Sequence, residues 1–121
     1  MTEDTIIKTE SPCGLFDSHA HYFDSRFEGQ GDDLLINGIF GEGVSGVINV
    51  GTNPENALVC IDQAARYAHM YAAVGIHPED CKALKGTVAE EVARIRVLLD
   101  TPETRRKNKI VALGEIGLDY H

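Results

Sequence analysis

Apolar residues fall into four short runs along the chain, and the segments between the runs show a different periodicity. The runs are rich in β-branched residues or bounded by glycine and polar turns, which predicts strands over 14–19, 44–52, 70–76 and 110–114. Between them, apolar residues recur at the three- and four-residue spacing of a helix face. Alternating strands and helices predict a parallel sheet with right-handed crossover connections.

Short polar signals predict where the helices begin. Asn53 stands before Pro54, which places a capping side chain ahead of a proline in the first turn. Thr87 is followed three residues later by glutamate, as in a capping box, so a third helix is predicted to begin there. It is predicted to end at 101–102. A shorter helix is predicted between about 32 and 41, although two glycines weaken it.

Polar side chains follow the predicted strands at their carboxyl ends. In a parallel sheet these ends share one edge, which is where α/β folds bind their ligands. We therefore expect the following strand-end residues to gather there and form the functional site: His19, His21, Asn53, His77, Glu115 and Asp119. Asn53 is best explained as a helix cap, because it stands directly before the proline of a helix's first turn.

The first strand ends in two histidines with one residue between them. Side chains alternate along a strand, so His19 and His21 share a face, and Asp17 has the same parity. Neutral imidazole nitrogen is a common ligand of divalent metals. The pair predicts a metal site, although such a short motif also occurs as a plain polar strand end.

Composition limits the classes of function. The chain has 121 residues, 43% of them hydrophobic, which predicts one compact domain over 14–121 after a polar tail over 1–13. Its net charge of -8 argues against broad electrostatic adhesion to nucleic acid or an anionic membrane, but a bound metal ion could supply positive charge locally. No apolar run approaches the ~20 residues of a membrane span. Three cysteines without C-x-x-C spacing, and no signal segment, predict a cytoplasmic or nucleocytoplasmic protein.

Two surface features bear on contact with nucleic acid. The basic run over 105–109 lies at the amino end of the last strand, on the rim opposite the strand-end residues, and is therefore interpreted as a solvated turn. Three aromatic residues follow the first strand, Tyr22, Phe23 and Phe27. We expect them to cover the core, with base stacking as the alternative.

Three motifs occur in order along the chain. They are Asp17-Ser18-His19-Ala20-His21, Gly75-Ile76-His77-Pro78 and Gly114-Glu115-Ile116-Gly117-Leu118-Asp119-Tyr120. Together they resemble the TatD family of metal-dependent deoxyribonucleases, within the amidohydrolase superfamily, from about residue 15 to residue 121. The resemblance implies an α/β fold of the TIM-barrel (β/α)8 type. A complete barrel has eight strands and about 250 residues, so this chain would supply the first four β/α units, a half barrel.

The resemblance also implies roles for individual residues. His19 and His21 would ligate one divalent ion, Zn, Mn or Mg, and Glu115 would ligate it or bridge the two ions of a complete site. Glu115 and His77 would be the catalytic residues, with His77 near the substrate, a DNA or another phosphodiester. His77 could equally make a rigid His-Pro turn. Asp17 and Asp119 would lie behind the ligands, orienting a histidine and organising the loop.

We expect this chain by itself to be inactive, because the family's later-strand ligands have no counterpart in it. Its unpaired sheet edges favour self-association. Two other functions stay open. One is another hydrolase of the superfamily, acting on amides, lactones or phosphotriesters. A lysine after the fourth strand would favour this function, and the presence of Glu115 in its place counts against it. The other is a non-catalytic α/β binding module whose histidines are incidental.

Overall fold

The computed structural model describes residues 14–24, 27–30, 33–83 and 86–116. In this part of the chain one parallel sheet has its strands in chain order: β1 (Leu15–Ala20), β2 (Val44–Val50), β3 (Met70–Val74) and β4 (Ile110–Leu113). The helices are α1 (Pro54–Arg66), α2 (Val88–Leu99) and α3 (Pro102–Asn108). The predicted strands and their common direction are confirmed. The tail over 1–13 lies outside the described residues.

Both predicted helix caps are present. The Asn53 side chain accepts a hydrogen bond from the Asn56 amide at 2.9 Å, and the Asn56 side chain accepts one from the Asn53 amide at 3.1 Å. Thr87 and Glu90 make the same reciprocal pair at the start of α2. Each pair satisfies amide groups that the first turn of a helix leaves without partners, so the sequence signals fix where α1 and α2 begin.

The short helix predicted between β1 and β2 has an unexpected form. Wide π-helical turns span Asp33–Ile39 and tighten into a 3-10 turn over Phe40–Glu42. Gly43 then ends the segment with a φ of 102°, a conformation that glycine adopts without strain. Leu35 is the buried anchor of the π-helical part, and the glycines around it lower the cost of leaving the α-helical path.

The interior lies between the sheet and the helices that cover it, in two neighbouring clusters. One is formed by Ala20, Leu35, Val47, Ala64, Tyr67 and Met70. The other is formed by Ala57, Cys60, Ala72, Val74, Ile95 and Ile110. Burial raises the pKa of the Cys60 thiol to about 12, so Cys60 behaves as a small neutral core residue. Cys81 is exposed, and Cys13 lies outside the described residues.

The basic run was predicted to be a turn, and this prediction is wrong. Its residues belong mostly to helix α3, whose first turn is capped by Thr101, which accepts a hydrogen bond from the Thr104 amide at 3.0 Å. Thr101 and Pro102 therefore start a new helix as well as following α2. Arg105 turns back and donates to the carbonyl oxygen of Leu99 at 2.6 Å, which ties the two helices together.

Lys109 fastens the end of α3 to the end of α1. Its ammonium group donates to the carbonyl oxygens of Ala64, Tyr67 and Ala68 at 2.8, 3.0 and 3.2 Å. These carbonyls close the carboxyl end of α1, where the helix dipole favours a positive charge. Burial nevertheless lowers the pKa of Lys109, because the ammonium group has lost part of its water shell.

Replacing Lys109 with methionine should lower the free energy of unfolding by about 1–3 kcal/mol, because methionine keeps the apolar stem and leaves these carbonyl oxygens without the ammonium group. Urea denaturation followed by circular dichroism measures the change. Lys107→Met is the matched control, since Lys107 is exposed in α3, two residues before Lys109. Equal stability of the two variants would contradict this role for Lys109.

The two outer strands of the described sheet each pair on one side, β1 with β2 and β4 with β3. Large apolar side chains are exposed on both: Leu15, Phe16, Val111 and Leu113. Unpaired edges and exposed apolar residues of this kind favour pairing with another strand or another molecule. They are consistent with the predicted self-association, which stays a prediction. Within the described residues, no helix has the length and apolar character required to cross a membrane.

Candidate metal centre

Three histidines converge on one carboxylate at the carboxyl edge of the sheet. Glu115, which follows β4, has Oε2 at 2.8 Å from Nε2 of His19 and at 3.5 Å from Nε2 of His21. Its other oxygen, Oε1, lies 3.0 Å from Nε2 of His77. These residues come from the ends of three different strands, and the parallel arrangement brings them together as the sequence predicted.

The ring of His21 is held with one nitrogen ready for a ligand. Its Nδ1 lies 2.8 Å from the carbonyl oxygen of Val50. A carbonyl oxygen only accepts hydrogen bonds, so Nδ1 must carry the hydrogen, and the neutral ring then has its lone pair on Nε2. That nitrogen faces Glu115. A backbone carbonyl behind the ring is the usual way in which proteins orient a metal-binding histidine.

The ring of His77 has the opposite tautomer, with its hydrogen on Nε2 and its lone pair on Nδ1. Its Nδ1 accepts a hydrogen bond from the Glu79 amide at 3.0 Å, so Nδ1 carries no hydrogen. The hydrogen therefore resides on Nε2, where it is donated to Glu115 across 3.0 Å. In this arrangement His77 is a hydrogen-bond donor to the site and has no free lone pair to offer a metal ion.

His19 is the most exposed member, with 55% of its side chain accessible, and its ring meets that of His21 edge to face at 4.9 Å between centroids. Asp17 lies close by, but its carboxylate accepts from the backbone amide of His19 at 3.0 Å. The strand register also shifts between Asp17 and Ala20, which interrupts the strict alternation expected there. The role of Asp17 as an orienter of a histidine stays a prediction.

The donor set fits a divalent transition metal. His19, His21 and Glu115 each offer one ligand atom, and these atoms lie within 4.8 Å of one another. Two imidazole nitrogens with one carboxylate oxygen suit Zn²⁺ or Mn²⁺ better than Ca²⁺, which prefers oxygen ligands throughout. Asp119, predicted to organise the neighbouring loop, and His121 lie outside the described residues.

Backbone groups that sequence reasoning missed set the spacing of the site. Three consecutive carbonyl oxygens at the end of β2 each hold one residue of the site: Val50 accepts from the His21 ring, Gly51 from the Glu115 amide at 3.2 Å, and Thr52 from the His77 amide at 2.8 Å. We call residues 50–52 the carbonyl platform. Any residue type can supply a backbone carbonyl, so no side-chain pattern could have revealed it.

The aromatic residues after β1 pack mainly against the interior. Tyr22 rests on one core cluster and Phe23 on the other, and Phe27 meets Tyr22 edge to face at 5.2 Å. Burial, with the charge of Asp17 as a smaller cause, raises the pKa of Tyr22. Phe23 also meets the His21 ring edge to face at 5.5 Å, so it helps to hold that imidazole. These contacts agree with a packing role.

A family model described as "TatD related DNase" matches residues 16–121. The chain belongs to the TatD family. A relative from Salmonella typhimurium (strain LT2), named "3'-5' ssDNA/RNA exonuclease TatD", is 33% identical over 107 residues, which are 88% of this chain and 37% of the relative. Another from Bacillus subtilis (strain 168), named "Uncharacterized metal-dependent hydrolase YabD", is 31% identical over 107 residues, 88% of this chain and 38% of the relative.

A solved structure confirms the predicted fold class. The crystal structure of YjjV, a TatD homologue from Escherichia coli K12, matches with a TM-score of 0.73 and 30% identity over 88% of this chain. The match covers 38% of that homologue, so the four-stranded sheet of this TatD-family chain corresponds to part of a TIM barrel. The chain likewise spans 37% of the length of the Salmonella relative.

Proposed function

We propose that this chain contributes a metal-binding cluster to a hydrolase that cleaves phosphodiester bonds in nucleic acid. The observation that supports it best is the compact set of two imidazole nitrogens and one carboxylate oxygen on His19, His21 and Glu115. The names of the Salmonella and Bacillus relatives, an exonuclease and a metal-dependent hydrolase, support the same chemistry.

The two carboxylate oxygens of Glu115 have different neighbours. Its Oε2 faces His19 and His21, while Oε1 faces the Nε2–H of His77. A carboxylate offers two oxygen atoms, so we propose that Glu115 would ligate one divalent ion or help to hold the two ions of a complete site. A divalent ion bound here would polarise a water molecule and supply positive charge beside a phosphate group. The protein is acidic, with a net charge of -8, so substrate attraction depends on such a local positive charge.

We propose that His77 acts as a hydrogen-bond donor to the substrate. Its ring is fixed with Nε2–H pointing at the carboxylate, so the same hydrogen can serve a phosphoryl oxygen that enters beside Glu115. With His19, His21 and Glu115 as the ligands that the described residues provide, we expect the chain by itself to bind metal but to turn over substrate very slowly. Two-ion catalysis needs further ligands around the second ion.

The proposal is tested by calorimetric titration of the chelator-treated chain with Zn²⁺ and Mn²⁺. His19→Ala should weaken binding by at least about tenfold, because even changes to groups behind metal ligands commonly cost that much. The matched control is His69→Ala, which also removes an exposed imidazole but does so before β3, at the opposite end of the sheet.

Equal loss of affinity in the two variants would indicate adventitious binding to surface histidines and would contradict the proposed centre. A chain that binds neither ion, yet melts cooperatively with and without chelator, would favour the non-catalytic binding module instead.

A further inference from the structure

Asp80 joins two loops at the carboxyl edge of the sheet. Its Oδ2 accepts two hydrogen bonds, one from the Thr52 hydroxyl at 2.8 Å and one from the Asn53 side-chain amide at 2.8 Å. Both donors precede α1, whereas Asp80 lies in the 3-10 turn Pro78–Ala83 that follows β3. A single carboxylate oxygen therefore bridges the β2–α1 connection to the turn that carries His77.

The direction of the Thr52 hydrogen bond is fixed by its other neighbour. The side-chain amide of Asn56 donates to the Thr52 hydroxyl oxygen at 2.7 Å, so the hydroxyl hydrogen is free to point at Asp80. Oδ1 of Asn56 accepts in turn from the amides of Thr52 and Asn53. Asp80 is thus hydrogen-bonded to the β2–α1 connection, and that connection is itself held by the hydrogen bonds of Asn56.

The backbone of His77 is hydrogen-bonded to both residues that the bridge connects, Thr52 and Asp80. The amide of His77 donates to the Thr52 carbonyl oxygen at 2.8 Å, and the carbonyl oxygen of His77 accepts from the Asp80 amide at 2.9 Å. The side chain of Asp80 then returns to Thr52. This closed loop of hydrogen bonds holds the backbone that places the Glu79 amide against Nδ1 of the His77 ring.

We propose that Asp80 is a positioning residue that keeps His77 as an Nε2–H donor facing Glu115. Through Thr52 it also steadies the carbonyl platform, and with it the His21 ring and the Glu115 backbone. Its consequence for metal binding rests on the proposed function, whereas its effect on the His77 ring does not. The alternative is a purely stabilising role, in which Asp80 only places a negative charge near the amino end of α1.

Two substitutions separate these roles. Asp80→Asn loses the charge but keeps a carbonyl oxygen that can take the place of Oδ2 and accept from both donors, so positioning should be retained. Asp80→Ala removes the acceptor altogether. Thr52→Val removes one donor while leaving Asp80 in place, and it serves as a second variant if the alanine variant folds poorly. Lys82→Ala, at an exposed position of the same turn, is the matched control.

The measurement is the pair of His77 ring ¹⁵N chemical shifts at about pH 8, where imidazoles are generally neutral, together with Zn²⁺ affinity by titration. All spectra are recorded below the melting temperature of every variant. We expect widely separated Nδ1 and Nε2 shifts in the unsubstituted chain, Asp80→Asn and Lys82→Ala. In Asp80→Ala and Thr52→Val the separation should shrink as the ring exchanges tautomers, and Zn²⁺ affinity should fall about tenfold.

Unchanged ring shifts in folded Asp80→Ala and Thr52→Val would overturn the proposal, as would an Asp80→Asn variant that loses the separation as fully as Asp80→Ala. An unsubstituted chain that binds no Zn²⁺ would count against the proposed function. The ring shifts would still decide the role of Asp80 in that case, so the two failures are distinguishable.

Discussion

Replacing Glu115 with glutamine should weaken the binding of Zn²⁺ and Mn²⁺ by at least about 100-fold, at the upper end of the losses seen for groups that only support metal ligands. Glutamine keeps the shape of the side chain but removes its negative charge. The carboxylate is contacted by His19, His21 and His77, so the substitution affects the whole site at once. Competition titration against a chelator of known affinity measures the loss.

Glu103→Gln is the control for this experiment, because it removes the same charge from an exposed position at the start of α3. Its affinity for either ion should match that of the unsubstituted chain. If Glu115→Gln bound metal as tightly as this control, Glu115 would not be a ligand, and its contacts with the three imidazoles would serve only to pair polar groups with one another.

Replacing Gly75 with alanine should displace Glu115 without touching its side chain. A Cβ atom at Gly75 would lie 2.5 Å from the carbonyl oxygen of Glu115 and 2.9 Å from the carbonyl carbon of Gly114. Both are backbone atoms held by the end of β4, so they cannot move aside as a flexible side chain would. We expect a loss of about 1–3 kcal/mol in the free energy of unfolding, typical of overpacking, and at least about tenfold weaker Zn²⁺ binding.

Gly114→Ala provides a close comparison, since it adds the same methyl group one residue before Glu115. Apart from Gly114 itself and its two chain neighbours, no described residue has an atom within 4 Å of a Cβ atom at that position. Thermal unfolding and Zn²⁺ titration of both variants test the idea. A Gly75→Ala variant as stable and as tightly binding as Gly114→Ala would show that the sheet end adapts freely and that Gly75 does not set the position of Glu115.

Local patterns predicted the parts of the fold that local physics determines. Short apolar runs that are β-branched or bounded by glycine and polar turns marked the strands. The capping signals at Asn53 and Thr87 marked the starts of α1 and α2, because a helix end needs partners for its free amides. The gathering of His19, His21, His77 and Glu115 also followed from sequence, since parallel strands place their carboxyl ends on one edge.

The features that sequence analysis missed have different causes: one had a local signal with a second meaning, one has no reliable local signal, and the histidine tautomers depend on contacts between distant parts of the chain. Helix α3 is the first of these, because Thr101 and Pro102 both follow α2 and begin α3, and a signal that ends one helix is easily mistaken for a turn alone. The π-helical segment has no reliable local signal. The tautomers of His21 and His77 depend on the partners of their Nδ1 atoms, a backbone carbonyl at the end of β2 and a backbone amide in the turn after β3. Such partners are known only once the strands are placed.

The carbonyl platform has a consequence for how this site tolerates change. Its three hydrogen bonds are accepted by peptide carbonyl oxygens, which do not depend on the identity of the side chains at 50–52. Inserting or deleting one residue there would instead shift the His21 ring, the Glu115 backbone and the His77 backbone relative to one another in a single step. The platform itself therefore fixes the length of this stretch. Its residue types are limited separately, by the burial of Val50, by the close approach of Ala57 to Gly51 and by the hydrogen bonds of the Thr52 hydroxyl.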